Sequence, residues 1–212
     1  PRAFPGRSMA DTRPTVWVSQ PLIDAAIAPL RDRVQLRSTD TVTAWTPAQI
    51  AEQLASADGA IITLNERIGA AQVADAAQLQ VIANVGVGYN NLDVDALSAA
   101  GILASNTPDV LTETTADLGF ALLMATARRI TESERWLREG QWQQWSFQTM
   151  LGADVHGSTL GILGMGRIGQ GIARRGAHGF GMKVLYHNRS RLPADTEAAL
   201  GATYVDLDTL LA

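Results

Sequence analysis

The sequence predicts an α/β protein built from two doubly wound parallel sheets, the second only partly present. Three observations carry that expectation. Short β-rich runs at 15–19, 34–38, 60–64, 81–85 and 102–106 alternate with helical patterns near 21–30, 47–57, 68–78 and 93–100. A second strand–helix alternation opens at Ser158. Between them lies one long helical stretch, roughly 109–138. Strands separated by helices at this spacing argue for βαβ units, whose right-handed crossovers place helices on both faces of a parallel sheet.

The elements follow in order. The five runs of the first half are short and rich in Val, Ile and Leu, as buried parallel strands are. Pro108 punctuates the start of the long helix. Along that helix Leu111, Leu118, Leu122 and Ala125 fall on one face at helical spacing. Arg128, Arg129, Arg135 and Arg138 read as a solvated face paired with Glu132, Glu134 and Glu139. Residues 139–157 are loop-like, with Gly140, Gly152, Gly157, Trp142 and Trp145. Strands are expected at 159–163, 183–186 and 202–205, with a helix from about Arg167. The final residues 206–212 read as a helix with an opening cap and no stop signal.

Composition excludes several classes. Of 212 residues, 46% are hydrophobic and 18% charged, which rules out wholesale disorder. The 19 glycines have no three-residue period, so the chain is not collagen-like. There is no cysteine, hence no disulfide framework and no thiolate nucleophile, and a cytoplasmic setting is expected. The net charge of −4 gives no electrostatic case for nucleic acid. The longest apolar stretch, 118–127, is half a membrane span, so no membrane association is expected. Residues 1–13, including the stretch before Met9, are set aside as a remnant or disordered N-terminus.

The glycine turn is the strongest local motif. Gly164, Gly166 and Gly169 form G-x-G-x-x-G between an apolar strand and a helix, the context in which the pattern means dinucleotide binding. Gly164 permits the tight turn, Gly166 lets backbone approach a pyrophosphate, and Gly169 allows close helix–strand packing. The amides of Arg167 and Ile168 then sit at the positive helix end. An NAD site wants an acidic residue about 20 residues on, for the ribose 2′-hydroxyl. Asn188 holds that position, followed by Arg189, Ser190 and Arg191. A carboxylate repels a 2′-phosphate and a guanidinium binds one, so the expected cofactor is NADP, with NAD second. The competing reading is a solvated basic turn.

A second glycine-rich loop, Gly86-Val87-Gly88-Tyr89-Asn90-Asn91, ends the fourth strand. Ligands of open α/β sheets sit outside carboxyl strand ends, and small residues there leave amides uncovered for a carboxylate. The plainer reading is a strand–helix connection with Asn90 or Asn91 near a helix cap. The two readings stand level on pattern alone.

Taken together, VGVGYNNLD at 85–93, NTPDVLTETTADLGFALLMATARR at 106–129, the tryptophan-bearing loop and GSTLGILGMGRIGQGIARR at 157–175 resemble the D-isomer-specific 2-hydroxyacid dehydrogenase family. The resemblance runs in order over 14–212 and looks most like the NADPH-using glyoxylate/hydroxypyruvate reductases, including those acting on 2-ketogluconate. It implies two Rossmann-like domains with the active site in the cleft between them. By this reading 14–107 is a flavodoxin-like substrate domain, 108–157 a linking long helix and dimerisation arm, and 158–212 the first part of an NADP-binding Rossmann domain. The resemblance implies that Val85 and Gly86 offer amides to the substrate carboxylate, that Leu64 lines the pocket, and that Thr114 lies by the nicotinamide. It also implies that 164–169 holds the pyrophosphate and that the protein forms a homodimer. Thr114 reads equally well as a helix N-terminal hydroxyl satisfying backbone, and the tryptophans as packing under their own loop.

Reduction of a 2-keto acid needs a group to polarise the carbonyl and one to deliver a proton. The family's arginine, histidine and tuning carboxylate fall in segments after the stretch matching 210–212, so no catalytic residue is assigned. His156, His178 and His187 match none of them and read as structural or solvent-facing. No Cys/His/carboxylate spacing fits a metal. The expected function is hydride transfer between NADP(H) and a small 2-hydroxy or 2-keto acid. The alternative is a non-enzymatic dinucleotide-sensing protein resembling the corepressors related to this family.

Overall fold

The computed structural model describes residues 13–212. Residues 1–12, most of the stretch set aside above, lie outside the described residues. Contacts divide the chain between Pro108 and Asp109 into two compact units.

The first unit runs β1 (Thr15–Val18), α1 (Asp24–Ile27), β2 (Gln35–Arg37), α2 (Pro47–Ala55), β3 (Gly59–Thr63), α3 (Ala70–Val73), β4 (Val81–Val85), α4 (Val94–Ala99) and β5 (Leu103–Ser105). All strand pairs are parallel, in the order β2-β1-β3-β4-β5, the doubly wound flavodoxin-like order. Trp17, Leu54, Ile62, Ile82 and Leu97 fill its core. α2 is specified locally: Thr46 caps it through a reciprocal box with Gln49, and Pro47 opens its first turn. Two expected helices are shorter than their patterns. α1 gives way to a 3₁₀ turn (Ala28–Leu30) containing Pro29, which has no amide to extend the helix. α3 stops at Val73, and the chain continues in i→i+3 bonds, Ala76 N to Val73 O and Leu79 N to Ala76 O, both 3.1 Å. That three-residue pitch seats Val73, Ala76 and Leu79 together in the core.

The second unit runs α5 (Thr112–Ala127), α6 (Ile130–Arg138), β6 (Thr159–Leu163), α7 (Arg167–Arg174), β7 (Lys183–His187), α8 (Ala194–Leu200), β8 (Ala202–Tyr204) and α9 (Leu207–Leu211). Its three described strands are parallel in the order β6-β7-β8. The expected single helix over 109–138 is two. Arg129 takes a left-handed φ of 54°, and Arg128 ends α5. The cause is tertiary. Ala153 N donates to the Ala127 carbonyl at 2.8 Å, and a Cβ on Gly152 would collide with that same oxygen. The returning loop therefore terminates α5 where no glycine or proline marks a stop.

The packing face of α5 also differs from the expected leucine stripe. Ala116 and Phe120 are buried, with Leu123, Met124 and Ala127 packed against the same core, whereas Leu118 and Leu122 are 60% and 59% exposed. α5 packs on α7 through small residues. A Cβ on Gly171 would lie 2.8 Å from Ala116 Cβ, and one on Gly119 would lie 2.8 Å from Ile172 Cδ1. Arg174 and Arg175 flank the crossing with ion pairs to Glu113, and Arg175 also to Asp117. Being exposed, these pairs fix geometry more than stability. The expected Arg–Glu pairing on α6 is present between Arg129 and Glu132 and between Arg138 and Glu134. Among the described residues, no helix is long and apolar enough to cross a membrane.

Candidate functional site

The glycine turn joins β6 to α7, and each glycine has its own geometric reason. Gly164 has φ +98°, a region closed to side chains at low cost. A Cβ on Gly169 would collide with the Gly164 carbonyl oxygen, so only glycine lets α7 start this close to the turn. A Cβ on Gly166 meets nothing within 4 Å, so the turn is open on that side. The first intrahelical bond is Gln170 N to Gly166 O at 2.9 Å. The amides of Arg167, Ile168 and Gly169 precede it and lie at the positive end of the helix. The Arg167 side chain turns away to Asp109, with Nε–Oδ1 at 2.7 Å.

The basic turn is built against this loop. Asn188 Oδ1 accepts from Met165 N at 2.6 Å, and the Gly164 amide donates to the His187 carbonyl at 3.0 Å. Asn188 therefore pins the glycine turn to the end of β7 without adding charge. Arg191, grouped with the basic turn by sequence, is occupied elsewhere. It makes a two-point pair with the buried Glu197, Nε–Oε1 2.9 Å and Nη2–Oε2 2.7 Å. Tyr186 Oη donates to the same carboxylate at 2.6 Å and accepts from Leu192 N at 2.8 Å. Arg191 first, and Tyr186 second, hold the Glu197 carboxyl down to about 2. Burial, then Glu197, pushes the Tyr186 hydroxyl up. Arg189 and Ser190 are exposed, and among the described residues Arg189 makes no ion pair.

In the first unit the loop after β4 is held from behind. The carbonyl of Gly86 accepts from Thr107 N (2.9 Å), that of Val87 from Asn106 Nδ2 (2.7 Å), and that of Gly88 from Asn84 Nδ2 (2.9 Å). A trans peptide sets each following amide antiparallel to its carbonyl. The amides of Val87, Gly88 and Tyr89 therefore face away from those donors, and among the described residues none of the three makes a backbone hydrogen bond. A Cβ on Gly88 would meet nothing within 4 Å, so the loop is open at that residue. Gly86, assigned a ligand amide by sequence, spends it on the Asn84 carbonyl at 2.9 Å. A Cβ on Gly86 would lie 2.5 Å from Leu64 Cδ2, so the glycine lets the half-exposed Leu64 lie over the loop.

Beneath lies a buried polar network that the sequence did not reveal. Asn84 and Asn91 exchange side-chain bonds of 3.3 and 3.2 Å, and Asn91 Nδ2 also reaches the carbonyls of Thr63 (3.1 Å) and Glu66 (3.0 Å). Burial alone would raise the Glu66 carboxyl. Donors from Gln20, the Thr63 backbone, Ser19 and the Thr63 hydroxyl outweigh it and hold the pKa below the usual glutamate value. The helix cap considered for Asn90 or Asn91 is made instead by Asp93, which accepts from Ala96 N at 3.0 Å. The only advance signal was two asparagines seven residues apart around a glycine loop.

Thr114 lies in the first turn of α5 and donates its hydroxyl to the Leu111 carbonyl at 3.2 Å. The histidine side chains make other contacts. His178 bonds the Ala199 carbonyl, His187 bonds the Val205 carbonyl and stacks on Tyr204, and His156 is exposed. Among the described residues, no three His or acidic side chains gather as a metal site.

Comparison with known proteins decides the family. Residues 120–212 match the family model for the D-isomer specific 2-hydroxyacid dehydrogenase, NAD binding domain. The chain belongs to the D-isomer-specific 2-hydroxyacid dehydrogenase family. It is 41% identical over 204 residues to the glyoxylate reductase of Thermococcus onnurineus and 42% over 200 residues to that of Korarchaeum cryptofilum, covering 94% of this chain and 60% of each relative. The crystal structure of the TT0316 protein from Thermus thermophilus superposes with a TM-score of 0.84 at 38% identity, covering 93% of this chain and 61% of that one. The chain thus spans about 60% of the length of the curated relatives it matches.

Proposed function

We propose that the protein is an NADP-dependent oxidoreductase that passes a hydride between the nicotinamide and a small 2-keto or 2-hydroxy acid such as glyoxylate, hydroxypyruvate or 2-ketogluconate. The observation that carries this reading is the pairing of an open glycine turn with a neutral, pinned Asn188 and an unpaired Arg189 beside it. The α7 amides receive the pyrophosphate. Arg189 and Ser190 receive a 2′-phosphate, which no carboxylate opposes because Glu197 is consumed by Arg191 and Tyr186. Thr114 stands toward the nicotinamide. Val87 and Gly88, rather than Val85 and Gly86, offer the amides for the substrate carboxylate, with Leu64 as an apolar wall.

The similarity to glyoxylate reductases supports the substrate class. The proton donor is not among the three histidines, so residues 1–212 alone bind without turning over. The protein acts as a homodimer through the exposed face of α5 and the 139–151 arm, and the cysteine-free chain suits a cytoplasmic enzyme. The test is calorimetric binding of NADPH and of NADH to residues 1–212, with and without each of the three keto acids. NADPH bound at least about tenfold more tightly than NADH is expected, and NADH bound as tightly would contradict the proposal.

A further inference from the structure

At the sheet edge opposite β5, three strands away from β4 and its glycine loop, β2 ends in a guanidinium that has no counter-ion among the described residues. Arg37 Nη1 donates to Ser56 Oγ and Nη2 to the Gln53 carbonyl, both at 2.7 Å. Both acceptors are neutral. Its Nε is buried without a partner, and among the described residues every ion pair lies elsewhere. A partly buried charge in a folded protein is normally paired, because desolvation is otherwise uncompensated. Burial here lowers the Arg37 pKa, as expected of a cation with no anion beside it. Each Nη nitrogen still carries a second N–H.

Arg37 lines a cavity of about 210 Å³ together with Trp17, Trp45, Ser38, Thr39 and Gln53. The cavity lies at the carboxyl ends of β1 and β2, where open α/β sheets place ligands. Its volume is below the roughly 300 Å³ at which ordinary ligand pockets begin, so the occupant has few heavy atoms. The two indoles meet edge to face at 5.4 Å, and the Trp45 N–H is already spent on the Ser19 carbonyl at 2.6 Å. Trp17 is buried in the core, so the accessible ring is that of the partly buried Trp45, beside one fixed cation.

We propose that this cavity binds a small organic monocarboxylate with an apolar body, its carboxylate on Arg37 and its body against Trp45, whose edge-to-face contact passes the change to Trp17. A phosphate is a poorer match, since its second charge and larger hydration need more donors than one half-used guanidinium supplies. The site is independent of the dinucleotide reading above.

The test uses the 212-residue chain, labelled with ¹⁵N, titrated with benzoate, with its neutral isostere benzamide and with inorganic phosphate. The Trp17 and Trp45 indole N–H signals report on the cavity, assigned through Trp45→Phe. Saturable shifts of both indoles with benzoate are expected, with benzamide and phosphate at least about tenfold weaker. Arg37→Gln abolishes the benzoate response, and Arg37→Lys, which keeps the charge, retains part of it with the remaining spectrum unchanged. Equal affinity for benzamide, tighter binding of phosphate, unchanged benzoate binding in Arg37→Gln, or benzoate shifts confined to the glycine-loop amides would each overturn the proposal.

Discussion

Gly166 and Gly169 separate binding from stability at the level of single residues. A methyl at 169 strikes the Gly164 carbonyl, and such overpacking costs about 1–3 kcal/mol, whereas a methyl at 166 meets open space at an ordinary φ of −76°. Gly169→Ala should therefore lower the melting temperature by several degrees. Gly166→Ala should leave it unchanged and weaken dinucleotide binding about tenfold or more, read by calorimetry. Glu197 provides a pH signature. Its carboxyl is held at about 2, below the usual value near 4.5, so its contribution is present above pH 4.5 and is lost as pH falls toward 2. The melting-temperature difference between wild type and Glu197→Gln should be full at pH 6 and vanish near pH 2. A difference that persists there would contradict this titration. The glycines were legible because each answers a local backbone need. The role proposed for the Val87 and Gly88 amides was not, because which peptide faces outward depends on Asn84, Asn106 and Thr107 gripping the loop from behind.

Strand positions and the order of helices follow from local pattern, since apolar runs of this length have few alternatives in a βαβ chain. The break at Arg129 does not, because it comes from the Gly152–Ala153 segment crossing the end of α5. The leucine stripe on α5 misled for a related reason. Small residues at 116, 119 and 171 allow close approach on the other face, leaving Leu118 and Leu122 outward. Trp145 and Phe147, on the 139–151 loop, are likewise exposed, at 70% and 80%. If a second copy covers this face, Leu122→Ser should leave monomer stability within about 0.5 kcal/mol and lower the sedimenting mass toward that of one chain. A wild-type protein that sediments as a monomer at all concentrations would contradict the dimer.

For the molecule as a whole, the proposed reading divides the chemistry between the two units: free loop amides for a carboxylate in one, and a glycine turn for a dinucleotide in the other. The doubly wound fold was readable from spacing alone, and the family from the order of its motifs. The proposed preference for NADP rests on a smaller set of atoms. Asn188 is neutral and pinned to Met165, Glu197 is neutralised by Arg191, and Arg189 is left to meet an anion. Charged hydrogen bonds of this kind contribute about 1.5–3 kcal/mol each, so even one distinguishes the two cofactors by about tenfold or more. The most direct measurement is the pair of dissociation constants for NADP and NAD, taken by calorimetry on the wild type and on Asn188→Asp, whose carboxylate keeps the bond to Met165 and adds the missing charge. NADP should bind the wild type at least about tenfold more tightly than NAD, and that preference should be lost or reversed in Asn188→Asp. NAD bound as tightly as NADP by the wild type would contradict it.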